Sequence, residues 1–297
     1  MNLVFASLGF LIFIFGILYL SDKFSPTTLS SESINSSPFI LFFSGVFFTA
    51  LCQSSSATGI VVLLLHDKKV LTLKQTAMFL IGGNLGTTIS GQIFSFSTGD
   101  LIPILVILTG LIGIIKNRMD KLASLFHFLV SFSCIIFGLN ILKETADHYS
   151  GFFISLFKYI ETEPGIFLFG CITTAIFQSS SLVIGFLIIL IESDIITLKE
   201  ALLAAFGVNI GTCSTLLLVS TGLGEGGRRG AIFQFLFNVM GVALFIAILP
   251  YFISFIEYTG STQARLLANA HTSFNLITAI LLVLSWDYME KTICKLY

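Results

Sequence analysis

Gln53-Ser54-Ser55-Ser56 and Gln178-Ser179-Ser180-Ser181 are one tetrapeptide written twice, 125 residues apart (178 − 53), each time inside an otherwise apolar stretch. Four successive polar residues are costly in lipid, because an unpaired backbone or hydroxyl group away from water costs several kcal/mol. Such a run must line a cavity or be buried against other protein. Within 38–65 and 165–191 each tetrapeptide has roughly 10–15 apolar residues on either side, too few for either flank to cross a bilayer alone. The pattern predicts two re-entrant helix–turn–helix hairpins with the polar runs at their tips.

The remainder of the chain is written for a membrane. Of 297 residues, 55% are apolar and only 10% charged, with a mean hydropathy of +0.98, whereas soluble domains carry roughly 25% charge. A formal net charge of −1 and short basic runs such as Lys68-Lys69 and Arg228-Arg229 give no sign of a nucleic-acid partner. Of the five cysteines (Cys52, Cys134, Cys171, Cys213 and Cys294), four lie in apolar segments, with neither CxxC spacing nor companion histidines. They read as small core residues. The stretch Leu3–Leu20 has no Lys or Arg before Lys23 and no small-residue cleavage site, so it reads as a transmembrane helix and not as a secretion signal.

The duplication extends well beyond the tetrapeptides. Without gaps, positions 45–90 match 170–215 at Gly45, Thr49, Ala50, Gln53 to Ser56, Leu65, Thr72 to Lys74, Gly82, Asn84, Gly86 and Thr87, which is 15 identities in 46 positions. Phe15-Gly16-Ile17 is echoed by Phe137-Gly138-Leu139 at an offset of 122 (137 − 15), so a preceding helix belongs to the unit. The expected organisation is a single transmembrane domain over 1–297, with repeat one at about 1–121, repeat two at about 122–250 and an extra C-terminal helix at about 262–286.

Seven crossings can be drawn, at 3–20, 74–96, 100–115, 122–142, 198–221, 230–250 and 266–285. Basic residues test the hairpins. With both as hairpins, one side holds Lys23, Lys68, Lys69, Lys74, Lys116, Arg118, Lys121, Arg228, Arg229, Lys291 and Lys295, and the other Lys143, Lys158, Lys199 and Arg265, a split of 11 to 4. With both as full crossings the same fifteen divide 7 to 8, which the positive-inside tendency would not produce. Three crossings then separate the first helix from its echo, so the repeats are oppositely inserted, as in many secondary transporters with a midplane site. The fold expected is an all-α polytopic membrane protein with inverted repeats, about seven transmembrane helices and two re-entrant hairpins. Its N-terminus would be external and its C-terminus cytoplasmic.

After each hairpin comes a second matched element, Gly82-Gly83-Asn84-Leu85-Gly86-Thr87-Thr88 and Gly207-Val208-Asn209-Ile210-Gly211-Thr212-Cys213. Glycines flanking an Asn are expected to break the helix locally and free backbone carbonyls for an ion. Thr87, Thr88 and Ser90, with Thr212, Ser214 and Thr215, add oxygen ligands. Helix N-termini at the Ser runs, surrounded by hydroxyls, suit a phosphate-like oxyanion. No Lys or Arg falls in mid-segment, so compensating charge would come from helix ends and co-bound cations. Close helix packing by Ser, Thr and Gly is the plainer alternative, yet it requires neither four polar residues in a row nor a matched Asn-x-Gly-Thr.

Other polar residues carry less. His271, Asn275, Gln234 and Asn238 can face the cavity, with interhelical hydrogen bonding as their competing role; His66, His127 and His148 sit at segment ends. An enzyme is not expected: neither Ser run has a His, Lys or Asp at a spacing that suggests a dyad.

At these residues the chain resembles the type II sodium/phosphate cotransporter family, whose hallmark is inverted repeats each carrying Gln-Ser-Ser-Ser followed by Gly-x-Asn-x-Gly-Thr. The likeness runs from about residue 3 to 285 and includes Ala270-His271-Thr272-x-Phe274-Asn275, similar to that family's His-x-x-Phe-Asn signature. It implies sodium-coupled import of inorganic phosphate across the plasma membrane. Gln53, Ser54, Ser55, Ser56, Gln178, Ser179, Ser180 and Ser181 would surround phosphate. Asn84, Thr87, Thr88, Asn209, Thr212 and Ser214 would serve sodium, the co-transported ion, and Asn238, His271 and Asn275 would line the cavity. Lipid is the surrounding partner, no organic cofactor is implied, and a homo-oligomer is compatible with the pattern. The first repeat lacks a clear Phe-Asn helix, and the long loop and soluble regulatory domain of larger members are missing, so the expectation is a minimal bacterial member. A symporter of another small oxyanion and a non-transporting phosphate sensor are the alternatives.

Overall fold

A computed structural model describes residues 11–12, 37–52, 54–96, 101–116, 162–296 and scattered positions from 126 to 160. Every regular element among them is helical. In chain order these are α1 (Pro38–Cys52), α2 (Ser55–Asp67), α3 (Leu73–Phe94), α4 (Leu101–Lys116), α5 (Glu163–Phe177), α6 (Ser180–Glu192), α7 (Leu198–Ser220), α8 (Glu225–Ala247), α9 (Leu249–Glu257), α10 (Gln263–Leu284) and α11 (Trp286–Leu296). The first expected crossing at 3–20 and most of that at 122–142 lie outside the described residues. Among the described helices, α7, α8 and α10 are long and apolar enough to cross a membrane.

Local sequence explains the boundaries. Both tetrapeptides interrupt helix, giving paired helices of 15 and 13 residues on each occasion. The shared Thr-Leu-Lys starts each long helix through a capping box: the Thr72 hydroxyl accepts from the Gln75 N–H and the Thr197 hydroxyl from the Glu200 N–H, while each N3 side chain bonds back. The expected crossing at 230–250 differs at both ends. α8 begins five residues earlier because its N-cap, Gly224, has no side chain and Asp67 of α2 supplies the missing acceptor, taking the Gly224 and Gly227 N–H groups at 3.1 Å each. Those two bonds hold the Asp67 carboxyl below its ordinary range, with His66 and Arg228 adding smaller contributions. At its far end the apolar run breaks at Ile248 and continues as α9, with Pro250 in the first turn where it needs no hydrogen bond.

One expectation is overturned. The glycines beside Asn84 and Asn209 do not break their helices: α3 and α7 run unbroken through both elements, over 22 and 23 residues. The glycines are instead where the long helices meet their hairpins. A methyl built on Gly82 would lie 2.0 Å from the Phe42 carbonyl oxygen, and one on Gly207 would lie 2.0 Å from that of Phe167. Gly45 and Gly170 close the same seams from the other side, against the Phe79 and Ala204 carbonyls at 2.1 and 2.0 Å. Backbone-to-backbone packing of this kind is what small residues provide between apolar helices, and it leaves the carbonyl ladder intact.

Each of these contacts occurs twice at the 125-residue offset (42 and 167, 79 and 204). The outward faces match too: Phe43 and Phe47 on α1, and Leu168 and Ile172 on α5, are all more than half exposed. Such a face suits lipid. The interior holds a large apolar cluster around α6, α7 and α10, with Phe206, Phe245 and Phe274 nearly sealed.

Candidate functional site: two serine tips against two long helices

The Ser runs are built as helix starts. Ser54 is extended (φ −146°, ψ 99°) and its Oγ accepts the Ala57 N–H at 3.2 Å; Ser179 repeats this (φ −142°, ψ 103°), accepting the Leu182 N–H at 3.3 Å. Their hydroxyl protons stay free to donate. Gln178 closes α5 in the left-handed region (φ 53°, ψ 27°), a conformation that costs a non-glycine residue about 1–3 kcal/mol and holds the second tip in a sharp turn. Gln53, its counterpart, lies outside the described residues. Ser56, Ser180 and Ser181 are buried and Ser55 is half-buried.

Each tip packs on the long helix of the other repeat. A methyl on Gly59 of α2 would lie 3.0 Å from the Leu216 side chain of α7, and one on Gly91 of α3 would lie 3.3 Å from Ile184 of α6. These are the same contact made twice (59 + 125 = 184, 91 + 125 = 216), and a reciprocal pairing of this kind marks a two-fold relation. Ser181 Oγ donates to Ser90 Oγ at 3.2 Å, tying the second tip to α3. Ser55 of the first tip shares a cavity of about 10 Å³ with Thr58, Asn84, Thr212 and Gln234. Both tips therefore adjoin α3 within six residues (90 − 84), a rise of about 9 Å.

The expected sodium ligands are placed as side chains on intact helices. Thr87 donates to the Asn84 carbonyl at 2.7 Å, Thr88 to that of Leu85 at 2.8 Å and Thr212 to that of Val208 at 2.8 Å. Each proton is thus spent within the helix, leaving oxygen lone pairs for a donor or cation. Ser214 is half-buried on α7. Asn84 is held from α8: Gln234 Nε2 donates to Asn84 Oδ1 at 2.6 Å, and Asn84 Nδ2 donates to Asn238 Oδ1 at 3.1 Å. Asn209, the counterpart of Asn84, instead donates to its own helix at Ala205, 2.9 Å away.

His271 and Asn275 lie on α10, which packs on α6 as α8 packs on α2. Asn275 Nδ2 donates to the His271 carbonyl at 2.9 Å, while His271 Nδ1 and Asn275 Oδ1 are buried with no partner. Among the described residues no cluster of three His, Cys, Asp or Glu side chains can hold a metal, and no buried Lys, Arg, Asp or Glu occurs. Cys52, Cys134, Cys171 and Cys213 are unbridged. Sequence reasoning underrated Gln234. The signal was present: Gln234-x-x-Phe237-Asn238 has the spacing of His271-x-x-Phe274-Asn275, and both asparagines bond back to the carbonyl four residues earlier.

Comparison with known proteins places the chain by its sequence. The family model described as Na+/Pi-cotransporter matches residues 12–144 and again 154–285, one match for each half. The chain is 29% identical over 253 residues to "Uncharacterized protein YqeW" of Bacillus subtilis, covering 82% of this chain and 80% of that protein. It is 24% identical over 277 residues to "Putative inorganic phosphate export protein YjbB" of Escherichia coli K12, covering 90% of this chain and 49% of that one. The Salmonella typhimurium protein of the same name is 23% identical over 274 residues. No solved structure matches. With a match to each repeat and both motifs in place, the chain belongs to the Na+/Pi-cotransporter family.

Proposed function

We propose that the protein is a sodium-coupled symporter of inorganic phosphate in the plasma membrane, working by alternating access around the two serine tips. The observation that carries this reading is the reciprocal seating of each tip on the other repeat's long helix. Phosphate would lie between the N-terminal ends of α2 and α6, held by tip N–H groups and by the hydroxyls of Ser54 to Ser56 and Ser179 to Ser181, with Gln53 and Gln178 bracing the turns. Asn84, Thr87, Thr88, Asn209, Thr212 and Ser214 would serve sodium. Because no formal charge is buried nearby among the described residues, sodium would offset much of the anion's charge, which makes coupled binding the natural order.

Oppositely inserted repeats with re-entrant hairpins are part of this proposal. Five contacts support their parity. Glu163, at the start of the second hairpin, pairs with Lys199 just beyond its end; Asp147 accepts from Ser193; Arg265 reaches Ser95; Asp67 caps α8; and Lys74 lies over Trp286. Each pair falls on one side of the bilayer if the hairpins return, and on opposite sides if they cross.

The inward sodium gradient of a bacterial cell would drive import. The names of the Escherichia coli and Salmonella relatives favour export as a second reading. Purified protein in liposomes separates them. Labelled phosphate uptake should rise with an inward sodium gradient, exceed sulfate uptake, and disappear in Ser55→Trp and Ser180→Trp. Sodium-independent flux would sink the coupling, and retained uptake in both variants would sink the site.

A further inference from the structure

The polarity of the buried amide chain at the first tip can be worked out from a fixed point. The Gln234 backbone carbonyl can only accept, and Asn238 Nδ2 donates to it at 3.1 Å. That places Asn238 Oδ1 toward Asn84, whose Nδ2 must then be the donor at 3.1 Å; Asn84 Oδ1 therefore faces Gln234, whose Nε2 must donate at 2.6 Å. What remains at the end of the chain is Gln234 Oε1, an acceptor with no partner on a side chain 98% buried (2% exposed). An unpaired buried acceptor costs about 1–3 kcal/mol.

Gln234 lines the cavity of about 10 Å³ at the tip, which has room for about one water-sized particle. The Ser55 hydroxyl beside it can turn either its proton or a lone pair inward, and the remaining polar groups are acceptors once their protons are assigned. The Thr212 proton is spent on the Val208 carbonyl, and Asn84 Oδ1 already receives the Gln234 amide. The Thr58 hydroxyl lies among oxygens, those of Thr49, Ser54 and Ser55. Among the described residues no carboxylate lines the cavity. A pocket of oxygen lone pairs without a carboxylate fits a hard cation of single charge, since a divalent ion would stay uncompensated.

We propose that Gln234 completes a site for a monovalent hard cation at the first tip, with Asn238 as the positioning residue that sets the amide direction through Asn84. Neither residue belongs to the Gln-Ser-Ser-Ser or Asn-x-Gly-Thr motifs. The site deepens the sodium-coupled reading and rests on it for the identity of the ion. It also links hairpin closure to ion occupancy, because Ser55 and Thr58 belong to the hairpin while Asn84, Thr212 and Gln234 belong to three other helices.

The test reads ion binding without phosphate. Purified full-length protein in detergent is heated in sodium chloride and in choline chloride at equal ionic strength. Wild type should unfold at a higher temperature in sodium. Gln234→Leu should lose that difference, and Asn238→Leu should need roughly 10–100-fold more sodium for the same effect. Should the Leu variants fail to fold, Gln234→Glu serves alone: its carboxylate beside the cavity should make stability more sodium-dependent than in wild type. Equal melting of wild type in both salts, as expected of a cavity that takes only water, overturns the proposal, as does a full sodium response in Gln234→Leu or an unchanged one in Gln234→Glu. Phosphate flux in liposomes separates the two readings. Sodium-driven flux with a sodium response indifferent to Gln234 leaves the symporter standing and removes this site, and a Gln234-dependent response without flux does the reverse.

Discussion

The two halves share a backbone plan, but their polar side chains are satisfied differently. In the first half the hairpin is stapled by the buried Thr49–Thr58 hydroxyl pair at 2.9 Å, and Asn84 is clamped by Gln234 and Asn238. In the second half Val183 stands where Thr58 would be, so Thr174, the counterpart of Thr49, has no partner; Asn209 turns to its own helix, and His271 Nδ1 and Asn275 Oδ1 are left open. The second tip has its own tie, Ser181 to Ser90, whereas Thr215, the counterpart of Ser90, is unpartnered. A duplicated chain that met its polar needs identically in both halves would have no reason to prefer one arrangement. Unequal satisfaction instead gives the two hairpins different polar ties on one shared backbone plan.

The shared backbone seam should show the largest effect. Gly82→Ala and Gly207→Ala each place a methyl 2.0 Å from a carbonyl oxygen, so each should cost roughly 3 kcal/mol or abolish a monodisperse product on size exclusion. A variant tolerated in one half alone would break the equivalence. Next comes the clamp. Asn84→Ala strands a buried donor on Gln234 and an acceptor on Asn238 and should cost about 2–3 kcal/mol, whereas Asn209→Ala loses only a bond within its helix and should cost about 1 kcal/mol or less. Equal shifts in thermal melts would remove the asymmetry.

Val183→Thr supplies the second half with the missing staple and should gain about 1 kcal/mol or less, read as a raised melting temperature. The same substitution in a Thr174→Val background should give no gain. The smallest effect concerns Asp67, whose counterpart is Glu192. The Asp67 carboxyl is depressed in the folded protein, so its stabilisation is present above its ordinary value of 3.8 and fades as pH falls through the lower folded value. Wild type and Asp67→Asn should therefore converge in stability below about pH 4 and separate above it; a gap that persists in acid would assign the role to packing.

Much of this was legible in the chain. The repeated Gln-Ser-Ser-Ser, the apolar lengths around it and the Thr-Leu-Lys starts determined where helices begin and end, because capping and chain interruption depend on near neighbours. The lysine and arginine distribution gave an expected parity, and only the folded chain shows that Glu163 and Lys199, on either side of the second Ser run, meet in an ion pair. The glycines were misread: a glycine in a helix looks the same whether it bends the chain or admits a neighbour, and only the Phe42 and Phe167 carbonyls 40 residues away (82 − 42, 207 − 167) tell the two apart. The direction of the Asn84 amide and the open acceptor on Gln234 also belong to tertiary structure alone, since they are fixed by a partner 154 positions distant. Local chemistry sets the elements, but which lone pairs remain unspent is known only once the helices have met.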